Sequence, residues 1–346
     1  MYYIYELIPA AIGLNRTRPH YRRGSVPVLT VHRHAACAAA LLLAFGCAIA
    51  QNYPAKPVRV IVPFAAGGTF DLVGRVISQR LSETWNQQVV VDNRPGGATI
   101  IATEMVAKSN PDGYTLYLSP NALAANPALQ KKLPYDTARD LTPVVLVASQ
   151  PMALGTYPSF RANSVKDLID MAKAKPGELS YGMAGIGSGG HLAGEIFKAA
   201  AGIDIVPISY KGGNIAMLEV MAAQIPLVMT GLPNLLPQQR AGKIRILGIT
   251  NSKRSAIAPD IATIGETVPG YEFRNWFGLV VAAGTPPAII RKINSDVNKA
   301  LNSGDTNQRL LDQGFDVLGG SEQEFGQLLK TDTEKFSKII KDTGMK

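Results

Sequence analysis

Two stretches of this 346-residue chain bring together residue types that can hold an anion without reacting with it. In Val58-Arg-Val-Ile-Val-Pro-Phe-Ala-Ala-Gly-Gly-Thr-Phe-Asp71, a strand breaks into glycines and restarts as a helix. Leu179-Ser-Tyr-Gly-Met-Ala-Gly-Ile-Gly-Ser-Gly-Gly-His191 repeats the design. The first N–H groups of a helix have no intrahelical partner and carry the positive end of its dipole, so a carboxylate or phosphate is stabilised there. Glycine leaves the approach open because it has no Cβ. The candidate cradles are therefore Phe64, Ala65, Ala66, Gly67 and Gly68, and Gly185, Ile186, Gly187, Ser188 and Gly189. Ser188 adds a hydroxyl, and His191 is expected at the start of the second helix, donating to a loop carbonyl or to the anion.

Other chemistries fit these residues less well. Gly185-Ile-Gly-Ser-Gly-Gly190 satisfies G-x-G-x-x-G, but a dinucleotide site needs an acidic residue ending the next strand, where Tyr210 and Lys211 stand instead. The chain contains no G-x-x-x-x-G-K-[ST] phosphate loop. Ser188 as a nucleophile lacks the glycine two residues earlier that a nucleophile elbow requires, since Ile186 is there. Asp71 suits the first helical turn and an i, i+4 pair with Arg75, a structural role beside the site. Ser119 and Asn121 follow a strand at the carboxyl edge where such sheets bind ligands, and Asn121 serves either a ligand or a turn cap. Lys211 and Gly212, with Tyr210, form a further strand-to-helix turn that could meet the far end of a ligand.

Composition narrows the field further. Residues 35–50 are an apolar run behind an arginine-bearing stretch, ending in Ala48-Ile-Ala50, the pattern of a secretory signal cleaved near Ala50; lipoprotein processing at Cys47 fits less well because Phe45 stands where a small residue is needed. The long leader, with no methionine between Met1 and Met105, suggests an over-extended N-terminus. Cleavage would remove both cysteines and three of the four histidines. What remains cannot build disulfides, thiolate chemistry or a multi-histidine metal site within one chain. No cofactor is expected. The formal net charge falls from +9 to +5, dispersed, with no basic run interleaved with aromatics, so nucleic acid is not an expected partner.

Elements must position these loops. Short apolar runs alternate with helical spacing, which predicts a mostly parallel, doubly wound α/β arrangement. Strands are expected at 58–63, 88–92, 114–119, 179–183, 204–209, 225–229 and 244–250; helices near 70–85, from Asn93-Arg-Pro-Gly-Gly-Ala98 to Lys108, over 165–175 with Ser164 and Asp167 as a capped start, after the second glycine loop, and from Thr285-Pro-Pro287 to Asn302. Leu141–Tyr157 reads as one long strand crossing between lobes, and Phe277–Ala282 as the return. Trp276 beside Phe277 would wall a cleft or stiffen a hinge. The amphipathic tail, 323–341, is expected to pack Phe325, Leu328, Leu329, Phe336 and Ile339 on the first lobe. Residues 51–150 and 275–346 would then form lobe 1, and 151–274 lobe 2.

Pro63-Phe-Ala-Ala-Gly-Gly-x-x-Asp71-x-x-x-Arg75, Asn93-Arg-Pro-Gly-Gly97, Pro111-Asp-Gly-Tyr-Thr-Leu116, Gly185-x-Gly-Ser-Gly-Gly-His191, Ser209-Tyr-Lys-Gly-Gly213 and Gly278-Leu-Val-Val-Ala-Ala-Gly-Thr-Pro286 together resemble the Bug family of periplasmic solute receptors, the binding components of tripartite tricarboxylate transporters. The resemblance spans essentially the whole mature chain. It implies a type II periplasmic-binding-protein, or Venus-flytrap, fold with a mixed, doubly wound sheet in each lobe, and a non-enzymatic, monomeric, periplasmic receptor. The ligand would be a small carboxylate (di- or tricarboxylate, amino acid or aromatic acid), held largely by backbone amides and passed to membrane transporter subunits. A ligand sensor for a signalling partner, a phosphate-ester binder and a secreted serine hydrolase are the alternatives. Many relatives carry Phe-Asp where this chain has Thr230-Gly231, which leads to the expectation of a distal pocket that is roomier or altered in selectivity.

Overall fold

The computed structural model describes residues 53–343; the expected leader, Cys47 and the cleavage site near Ala50 lie outside them. Among the described residues, no helix is long and apolar enough to cross a membrane.

Among the described residues, eleven strands form two sheets. The first contains β1 (Val58–Val62), β2 (Val89–Asn93), β3 (Thr115–Ser119), β4 (Leu141–Gln150), β10 (Asn275–Ala282) and β11 (Asp316–Val317), in the order β11-β4-β10-β3-β1-β2. The second contains β5 (Met152–Thr156), β6 (Ser180–Met183), β7 (Val206–Ser209), β8 (Leu227–Gly231) and β9 (Arg245–Ile249), in the order β7-β6-β8-β5-β9. Between them in sequence come the helices α1 (Thr69–Trp85), α2 (Ile100–Ala107), α3 (Ala122–Leu129), α4 (Thr137–Asp140), α5 (Val165–Ala174), α6 (Gly189–Ala201), α7 (Gly213–Met221), α8 (Leu232–Arg240), α9 (Pro287–Leu301), α10 (Gly304–Asp312) and α11 (Glu322–Thr343).

The glycine-loop units fold as the alternation of apolar runs predicts. β1 pairs in parallel with β2 and β3, and β6 with β7 and β8. The expectation of mostly parallel sheets needs correction, because the segments that pass between the sheets enter them antiparallel: β10 against β3 and β4, and β5 against β8 and β9. The run 141–157 is also two strands and not one. Pro151 has no N–H to continue a ladder, and the chain changes sheets there, β4 ending at Gln150 and β5 starting at Met152.

Ser164 caps α5 as expected, its hydroxyl accepting from the Asp167 N–H. α3, α4, α8, α10 and the two-residue β11 are elements that the sequence reading does not anticipate. The tail packs inward. Phe325, Leu329, Phe336 and Ile340 are buried, with Leu328 and Ile339 packed partly against the same core. That core is continuous from Ile61 and Tyr117 beside the first sheet through Trp276 and Phe325 to Leu154, Met183 and Phe197 beside the second. Trp276 therefore belongs to the crossover, fully buried, its indole N–H donating to Asp332 Oδ2 at 2.7 Å. Phe277 is likewise buried, against Phe70 and Phe315.

Candidate functional site

The two glycine loops share one geometry. Gly67 lies at φ +80° and Gly187 at φ +75°, the left-handed region that glycine occupies without strain. Each donates its N–H to a side chain four residues on: Gly67 to Asp71 Oδ2 at 2.9 Å, and Gly187 to His191 Nδ1 at 3.2 Å. The next residue is the N-cap, Gly68 for α1 and Ser188 for α6. Asp71 and His191 thus fold the two loops back onto their helices, and the N–H groups of Gly67 and Gly187 are already taken. Donors left without an acceptor among the described residues include those of Ala65, Ala66, Gly68, Thr69, Phe70 and Asp71 around the head of α1, and of Ile186, Gly189 and Gly190 around the head of α6.

Arg75 holds Asp71 from the helix side, Nε to Oδ2 at 2.8 Å. Burial pushes the Asp71 carboxyl up, but the hydrogen bonds from Arg75 and Gly67 outweigh it and hold it below the usual carboxylate range. Asp71 therefore stays ionised as a clamp on the loop.

His191 Nδ1 accepts from the Gly187 N–H, so the imidazole is neutral with its proton on Nε2, the ring atom left for the expected donation to a loop carbonyl or anion. Only 3% exposed, it is pushed below its ordinary pKa by burial, with Glu195 opposing and Lys198 reinforcing that shift. The Ser188 hydroxyl accepts from the His191 backbone N–H at 3.3 Å. No bond joins the serine hydroxyl to the imidazole, so the pair is a helix cap and not a nucleophile with its base.

A pH dependence follows. Above pH about 6.5, the unfolded value for histidine, His191 is neutral in both states and its loop bond contributes fully. As the pH falls from there through the lowered folded value, the unfolded chain takes up a proton that the folded chain resists, and stability is lost. Urea unfolding between pH 7.5 and 5 should show this decline, and His191→Gln, which retains an acceptor but does not titrate, should flatten it. His191 is the sole histidine after residue 34, so its imidazole resonance in the mature protein needs no assignment.

The remaining expected residues divide by location. Ala65, Ala66 and Gly67 are exposed at the tip of the first loop, and Phe64 is half-buried against Phe70. Ile186 stands out at the tip of the second, while Gly185 is half-buried and 3.8 Å separates the position of a Cβ there from the Tyr210 carbonyl. The Tyr210–Gly212 turn is thereby set beside the second loop, with Lys211 exposed. Ser119 is buried and donates to the Gly278 carbonyl at 2.9 Å. Asn121 is committed to the crossover: its Nδ2 donates to the Arg274 carbonyl at 3.0 Å and its Oδ1 accepts the Trp276 N–H at 3.1 Å. It caps no helix, and both arms of its amide are engaged with the chain's own backbone.

A third loop joins the two cradles. Asn93 donates to the Phe64 carbonyl of the first cradle at 3.0 Å, and the chain then runs Arg94-Pro-Gly-Gly-Ala-Thr99 into α2. A Cβ placed on Gly187 would sit 3.8 Å from Ala98 Cβ in this loop, 3.6 Å from Ala122 Cβ and 3.7 Å from Asn126 Oδ1 of α3. The second cradle, which follows β6 of the second sheet, therefore rests on the third loop, which follows β2 of the first. Asn126, Gln150 and Asn275 escaped the sequence reading because their positions depend on contacts between distant segments. Only the Asn-Arg-Pro-Gly-Gly motif pointed there.

At the expected distal wall, Thr230 Oγ1 lies against Gly213, 2.2 Å from where a Cβ there would be, and the buried Gln150 amide occupies the place of a Gly231 side chain. Among the described residues, no group of three or more His, Cys, Asp or Glu side chains could hold a metal. An open groove of about 770 Å³ runs along α1 and the edge strand β2, and it includes none of the glycine-loop residues.

Comparison with known proteins agrees with this geometry. A family model described as tripartite tricarboxylate transporter family receptor matches residues 73–345. BugT of Bordetella pertussis is 33% identical over 300 residues, covering 86% of this chain and 92% of that protein. Among solved structures, Rpa4515 of R. palustris with adipate superposes with a TM-score of 0.79 at 36% identity, covering 84% of this chain and 98% of the other. MatC of Rhodopseudomonas palustris with bound malate gives a TM-score of 0.77 at 28% identity, over 83% and 100%.

Proposed function

The chain belongs to the tripartite tricarboxylate transporter family of receptors, periplasmic solute-binding proteins and not enzymes, and from that premise we propose that it captures a small carboxylate between its two glycine loops and passes it, as a monomer, to a tripartite membrane transporter. The observation that carries this reading is the pair of matched helix heads. Gly68, Thr69 and Phe70 on one side, and Gly189 and Gly190 on the other, offer unpartnered N–H groups with no cation among them. Hydrogen bonds to a charged acceptor are the strong ones, and they strengthen further as closing lobes exclude water. The Ser188 hydroxyl and the Tyr210–Gly212 turn would complete the second side. The relatives solved with adipate and with malate make a dicarboxylate a natural first probe.

A thermal-shift panel of mono-, di- and tricarboxylates against matched phosphate esters tests the reading, because a ligand that binds only the folded state raises Tm by an amount that grows with the logarithm of its concentration over Kd. A selective rise with one carboxylate class is expected. A response confined to phosphate esters would replace the carboxylate in this account.

A further inference from the structure

Resting on that reading, we propose that the acid this receptor takes also carries a hydrogen-bond donor, a hydroxyl or an ammonium close to its carboxylate, and that Asn126 Oδ1 and Asn275 Oδ1 receive it. Both oxygens are buried without a hydrogen-bond partner, on residues 0% and 6% exposed. Both lie against the second cradle. A Cβ on Gly187 would be 3.7 Å from Asn126 Oδ1, and one on Gly189 would be 2.4 Å from Asn275 Oδ1.

The orientation of Asn126 is fixed by its other arm. Nδ2 donates to the Ala98 carbonyl at 3.0 Å, which leaves Oδ1, an acceptor, as the atom turned to Gly187. A buried acceptor left without a donor carries its desolvation cost, so the fold retains these two at a cost that a ligand can remove. Carboxylate oxygens cannot do so, since acceptor facing acceptor is repulsive. The cradle N–H groups and the two amide oxygens together describe a molecule with a negative end and a donor near it.

The backbone beside Asn126 is held against its preference. Ala98 and Thr99 have φ of 52° and 72°, in the region that L-residues rarely adopt and β-branched ones hardly at all. Asn126 binds the Ala98 carbonyl, and Thr103 Oγ1 donates to the Thr99 carbonyl at 2.9 Å while contacting the buried Tyr117 hydroxyl at 3.0 Å. Strain of this kind persists only where the surroundings over-determine it, and it clusters at ligand clamps. Here it presents Ala98 and Asn126 to the second cradle.

Calorimetric titration with three matched sets provides the test: propionate, lactate and alanine; succinate, malate and aspartate; glutarate, 2-hydroxyglutarate and glutamate. In the set whose length fits, the hydroxy or amino acid should bind at least about tenfold tighter than its unsubstituted parent, as one buried hydrogen bond with a charged or strongly polar partner implies. Whether the hydroxyl or the ammonium member leads distinguishes the two donors. Asn126→Ala and, as a second variant, Asn275→Ala should each reduce the ratio towards threefold or less. A parent acid binding as tightly as its substituted partners, or a ratio unchanged in both variants, overturns the inference while leaving the carboxylate reading intact. No binding by any member of the three sets overturns the inference, and the carboxylate reading falls with it where the thermal-shift panel of mono-, di- and tricarboxylates also gives no response.

Discussion

Gly187→Val should lower affinity for the bound carboxylate by about 100-fold or more in calorimetric titration, the equivalent of roughly 2.7 kcal/mol. Two costs add at this position. A β-branched residue at φ +75° is strained by about 1–3 kcal/mol. In addition, the γ-methyl groups would extend past a Cβ that already stands 3.6–3.8 Å from Ala122, Asn126 and Ala98, so they have no room. Relief requires the loop to move, which breaks the Gly187 bond to His191 and displaces the Gly189 and Gly190 donors. Gly187→Ala carries only the conformational cost and should lose about tenfold. Gly67→Val has a similar φ but open space around its Cβ, and should fall below Gly187→Val in effect. Lys211→Ala, altering an exposed side chain, should change affinity least. Unchanged affinity in Gly187→Val would remove the second cradle from the binding site.

The second large effect is on stability. Phe325→Ala should destabilise the folded protein by roughly 3–5 kcal/mol, the usual range for emptying a buried phenylalanine site. Phe325 is 1% exposed and lies edge-on to Trp276 with ring centroids 5.4 Å apart. Its ring also seats on Gly278, where a Cβ would meet Cζ at 2.1 Å. β10 and α11 are held here as one unit, reinforced by the Trp276 bond to Asp332 and by Lys335 Nζ on the Glu272 carbonyl at 3.0 Å. Urea denaturation reads the loss directly. A change below about 1 kcal/mol would mean that α11 docks without this contact, contrary to the packing described.

The sequence revealed most where one local rule sufficed. A strand, glycines and a capped helix announce themselves within about fifteen residues, and so both cradles, Ser164 as a cap and the Asp71–Arg75 pair were legible. So was the buried stripe of the tail, because helical spacing is a local property. Roles set by distant partners were not. A continuous apolar run such as Leu141–Tyr157 has no period from which to tell one buried strand from two, and Pro151 alone marked the change of sheet. Asn121 offered two plausible uses, a ligand contact and a turn cap, and the fold gives its amide a third, holding the Arg274 carbonyl and the Trp276 N–H more than 150 positions away. Nothing local to Thr230-Gly231 says that the Gln150 amide packs where a Gly231 side chain would stand. His191 was placed correctly at the start of its helix, yet its role as an acceptor depends on the orientation of the Gly187 N–H in a left-handed turn. Asn126 and Asn275 had no local signature at all.

The common element in these findings is recognition by the backbone: charged side chains near the cradles, Asp71 and Arg75, are paired with each other and shape the loop. A crystal structure of the protein purified with its natural ligand tests this most directly. The account predicts one carboxylate with its oxygens within hydrogen-bond distance of the Gly68–Phe70 and Gly189–Gly190 N–H groups, and an unmodified ligand. Density for the acid in the outer groove along α1 and β2, or held by Lys211 with those N–H groups left to solvent, would contradict it.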